Sequence, residues 1–325
     1  MTTITLVEAV NQAIAYEMAK DNDVILFGED IATNGGVFRA TVGLLEKFGP
    51  TRVLDTPLAE SMIAGIAIGM ASQGLKPIAE FQFMGFIYSG FDQMISHASR
   101  MRNRTRGRLH CPIVYRAPYG GGIHAPEHHC ESTEALFAQI PGLRVVIPST
   151  PLHAYGLLLA SIRNPDPVLF LEPTRIYRLI KQDVPDNGEA LPLDRCFILK
   201  NGDDVTLVSW GAALKETIEA AHALEKDGIS CEIIDVATIS PLDINTILTS
   251  VEKTGRCVIV QEAPRACSVS ADIAANLAEY GFDLLKAPVK RVTGYDTVMP
   301  YAQLEKYYMP SVERVLSAVH NIVKA

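Results

Sequence analysis

The chain has 325 residues, of which 48% are hydrophobic and 20% charged, with a formal net charge of -8 and a pI near 5.5. That length exceeds one ordinary core and divides naturally into two domains of about 150 residues each. The acidic balance argues against nucleic acid or an anionic membrane as a general partner, and the most apolar window, residues 62–70, falls short of the roughly 20 residues that span a bilayer.

Apolar positions Leu6, Val10, Ile14 and Met18 recur at helical spacing, so residues 5–20 are expected to form a helix. A short apolar strand, VILFG, follows and ends at Glu29 and Asp30. A charged tip on a buried parallel strand is where such sheets place function. RVLDTP reads as a strand, residues 61–74 as a small-residue helix, PIAEFQF as a strand and residues 88–103 as a helix. PIVYRAPYGGG, LRVVIPS and PVLFLEP read as strands, with helices near 132–139 and 152–163 between them. Residues 181–194 are rich in Pro, Asp and Gly, lose periodicity and read as a linker. Beyond it the strands VTLVSWG, SCEIIDVATI, CVIVQEA and VKRVTGY alternate with four helical patterns, the last being SVERVLSAVHNIVKA. The alternation predicts an α/β protein of two doubly wound domains, 1–180 and 195–325, with mostly parallel sheets.

The six cysteines, Cys111, Cys130, Cys196, Cys231, Cys257 and Cys267, are scattered without a CxxC pair, as in a reduced compartment. The N-terminus lacks the basic and then apolar order of a signal peptide. Both observations lead to the expectation of a cytoplasmic protein with no membrane association.

Glu60 stands directly before SMIAGIAIGMASQG, a run with almost nothing to pair a charge. A buried carboxylate without a partner is costly, so Glu60 is expected to be paired, protonated or functional. The segment HAPEHHCE holds His124, Glu127, His128, His129, Cys130 and Glu131. His124 and His128 have the spacing of a helical zinc pair, but Pro126 lies between them and opposes a regular helix. A surface loop, or an active-site loop in which one histidine handles protons, is the other meaning open to it. Cys130 as a thiol nucleophile lacks an identifiable orienting residue. Arg100, Arg102, Arg104, Arg106 and Arg108 occupy alternate positions, as a solvated helix end or subunit contact would. No glycine motif forms a self-sufficient phosphate site: Gly120 to Gly122 lack a following GK[ST], and no GxGxxG opens a helix. A phosphorylated cofactor would need another chain to hold its phosphates.

The strings DTPLAES, GEDIATNGGVFRAT, RAPYGGGIHAPE, PGLRVVIPSTP and TISPLD occur in this order. On them the whole chain resembles the beta subunit of the thiamine-diphosphate-dependent decarboxylase of 2-oxo-acid dehydrogenase complexes, of the pyruvate dehydrogenase type. The resemblance implies a transketolase-like pyrimidine-binding domain followed by a transketolase-like C-terminal domain. It also implies a heterotetramer with an alpha subunit, which would hold the diphosphate and its Mg2+, since the GDG motif is absent here. A lipoyl acyltransferase core is the further partner implied. By the same resemblance Glu60 hydrogen-bonds a ring nitrogen of the cofactor's aminopyrimidine, Phe86 stacks on that ring, and Glu29 helps relay protons between sites. The alternatives from the residues alone are a helix N-terminal charge for Glu60, core packing for Phe86 and a salt bridge for Glu29. The histidine facing the lipoyl arm falls on His129, with His128 as competitor because HHCES replaces the commoner HSQS. Positions matching a structural potassium ion are Ile113, Ser161, Ile162, Asn164 and Asp166. FLEPTRIYR and TGYDT look closer to branched-chain relatives, whereas HAPE and NGGVFRAT look closer to pyruvate ones, so pyruvate is the expected substrate, ahead of branched-chain acids and acetoin. The alternative from another class is a non-catalytic scaffold paired with an alpha chain; the desolvation cost of Glu60 speaks against it.

Overall fold

The computed structural model describes residues 2–324. By internal contacts the chain forms two compact units. The first takes in Leu136–Leu193 together with the residues up to Tyr119, and the second takes in Gly120–Ala135 together with the residues from Asp194 onward. The sequence pattern carries no sign that Gly120–Ala135 packs with the later half of the chain.

In the first unit, strands pair in parallel in the order Arg144–Val146, Val168–Pro173, Val114–Tyr119, Lys76–Glu80, Val24–Gly28 and Val53–Asp55. Val24–Gly28, Val114–Tyr119 and Val168–Pro173 are buried at every position, as strands covered on both faces must be. Helices Leu6–Lys20 and Pro151–Arg163 pack against each other. Thr5 starts the first of them: its backbone N–H and its hydroxyl both donate to Glu8, at 2.7 and 2.6 Å. Thr150 caps the second by accepting the His153 N–H at 3.1 Å, with Pro151 in the first turn.

In the second unit the strand order is Lys290–Val292, Cys257–Val260, Val205–Ser209, Cys231–Asp235 and Phe197–Lys200, parallel except for the last, which is antiparallel. Helices Leu214–Lys226 and Val312–Val323 pack together over a core that includes Leu207, Leu224, Ile233, Val258, Val315 and Val319.

Several elements differ from expectation. Within the expected linker, Lys181–Val184 is a strand that pairs antiparallel with Thr2–Thr5. The expected helix 88–103 is broken into 3-10 turns at Met84–Gly90 and Ala98–Arg100, a π turn at Gln93–His97 and a short helix at Met101–Arg104. Close packing against the helix Glu60–Ser72 accompanies the break: a Cβ on Gly90 would lie 3.0 Å from the Glu60 carbonyl oxygen and 3.2 Å from the Ala64 Cβ. The arginine run is therefore not one continuous helix, since helix ends at Arg104 and Arg106 has a φ of +53°.

Candidate active site

The small-residue helix Glu60–Ser72 buries only Ile63, Ala64, Ala67 and Ala71. Its lack of bulk lets the segment carrying Phe86 and Ser89 approach the first turn. Ser61 Oγ donates to the Ser89 carbonyl, and Ser89 Oγ lies 3.5 Å from Glu60 Oε2. Glu60 occupies the first helical position, at the positive end of the helix dipole. It is half-buried rather than dry, because the helix begins at the surface of the unit.

Glu29 follows the buried strand Val24–Gly28. Burial pushes its carboxyl above the ordinary value, and the charges of Asp30 and Glu60 push it further. Glu29 and Glu60 therefore feel each other at the C-terminal ends of parallel strands, where open α/β sheets bind ligands. Phe86 packs edge-on against Phe83 at a centroid distance of 5.4 Å, Phe83 against Phe38 at 5.5 Å, and Phe38 against Tyr177 at 5.3 Å. Phe86 itself is half-buried, which leaves part of the ring accessible.

Two supports of this region were not identified from sequence. Asp55 accepts the Ala32 N–H at 2.7 Å, the Thr33 N–H at 3.1 Å and the Thr33 hydroxyl at 2.9 Å, anchoring the loop that follows Glu29. Burial opposes the Asp55 charge, but those three bonds outweigh it and hold the carboxyl below its ordinary range. The DTP string just before Glu60 was the available signal. Deeper in the sheet, Arg116 is 1% exposed and bridges Glu80 at 2.7 Å and Glu172 at 2.6 Å, on the strands to either side. Tyr177 donates to Glu172 at 2.7 Å. Burial opposes the guanidinium charge, yet Glu172 and Glu80 overcome it and keep Arg116 protonated, while burial raises the Glu80 carboxyl. No local motif marks that triad, since its members come from three strands.

His129 closes a 3-10 turn at Glu127–His129 in the second unit, its N–H donating to the Pro126 carbonyl at 2.9 Å. His129 is half-buried, whereas His128 is exposed with Nδ1 3.6 Å from Glu131. His124 lies apart on Glu305, at 3.4 Å, with a φ of +59°. Among the described residues no group of three or more His, Cys, Asp or Glu side chains is arranged to hold a metal ion. Burial, followed by the nearby Glu305, pushes the Cys130 thiol up to about 11, which removes it as a nucleophile at neutral pH. Ile113 immediately precedes the strand Val114–Tyr119, Ser161 and Ile162 lie in the last turn of the helix Pro151–Arg163, and Asn164 and Asp166 lie in the turn that leads to the neighbouring strand Val168–Pro173. Asn164 Oδ1 accepts the Asp166 N–H at 2.9 Å, the Ile113 carbonyl accepts from Val168 at 2.9 Å, and Arg102 binds the Asp166 carboxylate at 2.6 Å. Among the described residues no helix is long and apolar enough to cross a membrane.

Residues 2–180 match the transketolase pyrimidine-binding domain, and residues 194–315 match the transketolase C-terminal domain. The chain is 50% identical over 325 residues to the pyruvate dehydrogenase E1 component subunit beta of Acholeplasma laidlawii, covering 100% of this chain and 99% of that one. To the subunit of the same name from Bacillus subtilis (strain 168) it is 45% identical over 324 residues, with 100% of each chain covered. A solved structure described as a split gene transketolase, inactive beta4 tetramer, shares the fold with a TM-score of 0.82 at 22% identity, covering 99% of each chain. With matches of that extent, the chain belongs to the family of pyruvate dehydrogenase E1 component beta subunits, built from a transketolase pyrimidine-binding domain and a transketolase C-terminal domain.

Proposed function

We propose that this chain is the beta subunit of a pyruvate dehydrogenase-type decarboxylase of the cytoplasm. Together with an alpha subunit, in a heterotetramer, it decarboxylates pyruvate and passes the acyl group to lipoyl on an acyltransferase core. One observation carries the proposal: Glu29 and Glu60 act on each other's charge, and Glu60 lies 3.5 Å from Ser89 of the turn that also carries Phe86, in a chain half identical along its full length to a subunit of that name.

The residues present fit the aminopyrimidine end of thiamine diphosphate. A carboxyl stands at a helix start with the Ser89 hydroxyl 3.5 Å away, the turn that carries Ser89 also carries the Phe86 ring, and small residues keep the approach open. When bound, the cofactor supplies the electron sink that makes loss of carbon dioxide feasible. Glu60 then holds a proton at a pyrimidine ring nitrogen, and Phe86 orients the ring by stacking. Glu29, whose carboxyl is shifted upward by burial and by the charges of Asp30 and Glu60, binds a proton more readily than a free carboxylate does and can pass one toward Glu60. His129 supplies a proton to the lipoyl sulfur during acyl transfer. The alpha subunit holds the diphosphate and Mg2+, in keeping with the lack of a phosphate loop in this sequence. A potassium ion near Ile113, Ser161, Ile162, Asn164 and Asp166 belongs to the same proposal. Because Arg102 engages the Asp166 carboxylate, carbonyl and hydroxyl oxygens are the donors it would use.

The test is Glu60→Gln, reconstituted with the alpha subunit. Decarboxylation should fall by about a hundredfold or more, while assembly and thermal midpoint stay close to wild type. Near-wild-type turnover would overturn the assignment.

A further inference from the structure

The segment Gly120–Ala135 carries His129 but has little regular structure beyond one 3-10 turn and the start of the helix Glu134–Ala138. Its backbone is held by two buried carboxylates of the second unit. Glu262, just after the strand Cys257–Val260, accepts the Gly121 N–H at 2.5 Å and the Ser132 hydroxyl at 2.9 Å through the same oxygen. The start and the end of the loop thus meet at one atom. Glu305, on the helix Ala302–Tyr308, accepts the Gly122 N–H at 2.7 Å and faces His124. The Gly120 N–H donates to the Glu131 carbonyl at 3.0 Å, so three successive amides are each bound. Gly120 has a φ of +86°, and a Cβ there would lie 2.7 Å from Glu262 Oε1; only glycine permits that contact.

Both carboxylates are 3% exposed, and Cys130, Met299, Tyr308 and Met309 pack as an apolar cluster in the same region. A carboxylate that accepts amide bonds away from water makes shorter and stronger bonds than a neutral acceptor does. Side chains at an apolar loop would serve packing without fixing the backbone; these fix the backbone directly.

We infer that Glu262 and Glu305 are positioning residues for the histidine-bearing loop: they clamp its neck and thereby set where the His129 imidazole is presented. The functional consequence rests on the proposed role of His129 in acyl transfer. The clamp orients and does not itself touch the substrate.

The experiment uses the complex rebuilt with the alpha subunit and a lipoyl domain, comparing wild type with Glu262→Ala, Glu262→Gln, Ser132→Ala and His129→Ala. Three quantities are read: kcat/KM for lipoyl-domain acylation, decarboxylation with an artificial electron acceptor, and amide hydrogen exchange over residues 120–132. Glu262→Ala should lower acylation kcat/KM by about tenfold or more, with a several-fold smaller loss in decarboxylation, and should speed exchange of the loop amides. Glu262→Gln keeps the accepting oxygen and should restore most of both. Unchanged exchange in Glu262→Ala, or equal loss in the Gln and Ala variants, would overturn the clamp. If the Ala variant does not assemble, Ser132→Ala decides: it should speed exchange near residue 132 relative to Glu262→Gln, and the reverse order would overturn the inference. Should His129→Ala depress both reactions equally while Glu262→Ala still loosens the loop, the clamp stands and the lipoyl role of His129 falls.

Discussion

Both units bury carboxylates, but they satisfy them with different partners. In the first unit Glu80 and Glu172 flank Arg116, so two negative charges share one guanidinium and the Tyr177 hydroxyl assists. In the second unit Glu262 and Glu305 are met mainly by backbone amides and a serine hydroxyl. The difference follows from what surrounds them. Strands 76–80, 114–119 and 168–173 are already locked by their ladder, so the ion triad adds little geometry; removing its cation is what would be costly. The loop in the second unit has no ladder, and there the carboxylates supply the geometry itself.

That contrast predicts effects of different kinds. The largest is on Arg116→Met, which strands two buried carboxylates without a cation; chemical denaturation at neutral pH should show a loss of about 3–5 kcal/mol. Lowering the pH should recover part of it as the carboxyls protonate. A loss below about 1 kcal/mol would mean that the triad behaves like an ordinary surface pair.

A smaller effect concerns Glu29, whose carboxyl burial and neighbouring charges raise. The folded state then binds a proton more tightly than the unfolded chain, so this group makes stability fall as pH rises from the ordinary carboxylate range through the raised value. Glu29→Gln should therefore have the higher thermal midpoint above that window, and the two curves should converge below it. A wild-type curve that stays above the variant at neutral pH would exclude a raised pKa.

The smallest leaves stability untouched and probes whether the apolar cluster beside the loop is closed. Cys130 is buried, with its thiol raised to about 11, whereas Cys267 is exposed. Alkylation near pH 8 followed by peptide mass analysis should label Cys267 first. Comparable rates at the two thiols would show that the loop opens readily in solution.

The fold was legible where periodicity was strong. The helix at Leu6–Lys20, the strand at Val24–Gly28 and the C-terminal helix at Val312–Val323 lie where apolar spacing placed them. The strand Lys181–Val184 was hidden because KQDV has no apolar alternation; its partner Thr2–Thr5 is far away in sequence, and a pairing of that kind leaves no local mark. The helix Ala302–Tyr308 was missed in a tyrosine-rich stretch whose side chains are largely exposed. For the site, Glu60 stands out through its apolar neighbours, yet it is half-buried while Glu80 is among the deeply buried carboxylates. PIAEFQF could not show this, since the guanidinium that pairs Glu80 lies on another strand.

The shared oxygen of Glu262 has one more consequence. Because Gly121 and Ser132 converge on it, residues 122–131 form a closed cassette whose ends are fixed independently of what lies between them. Side chains within the cassette can change without touching the shared oxygen, whereas a change in its length would pull one of its ends off that atom. Grafting experiments that exchange this stretch between homologues should therefore preserve the distance in sequence between the glycine and the serine before anything else.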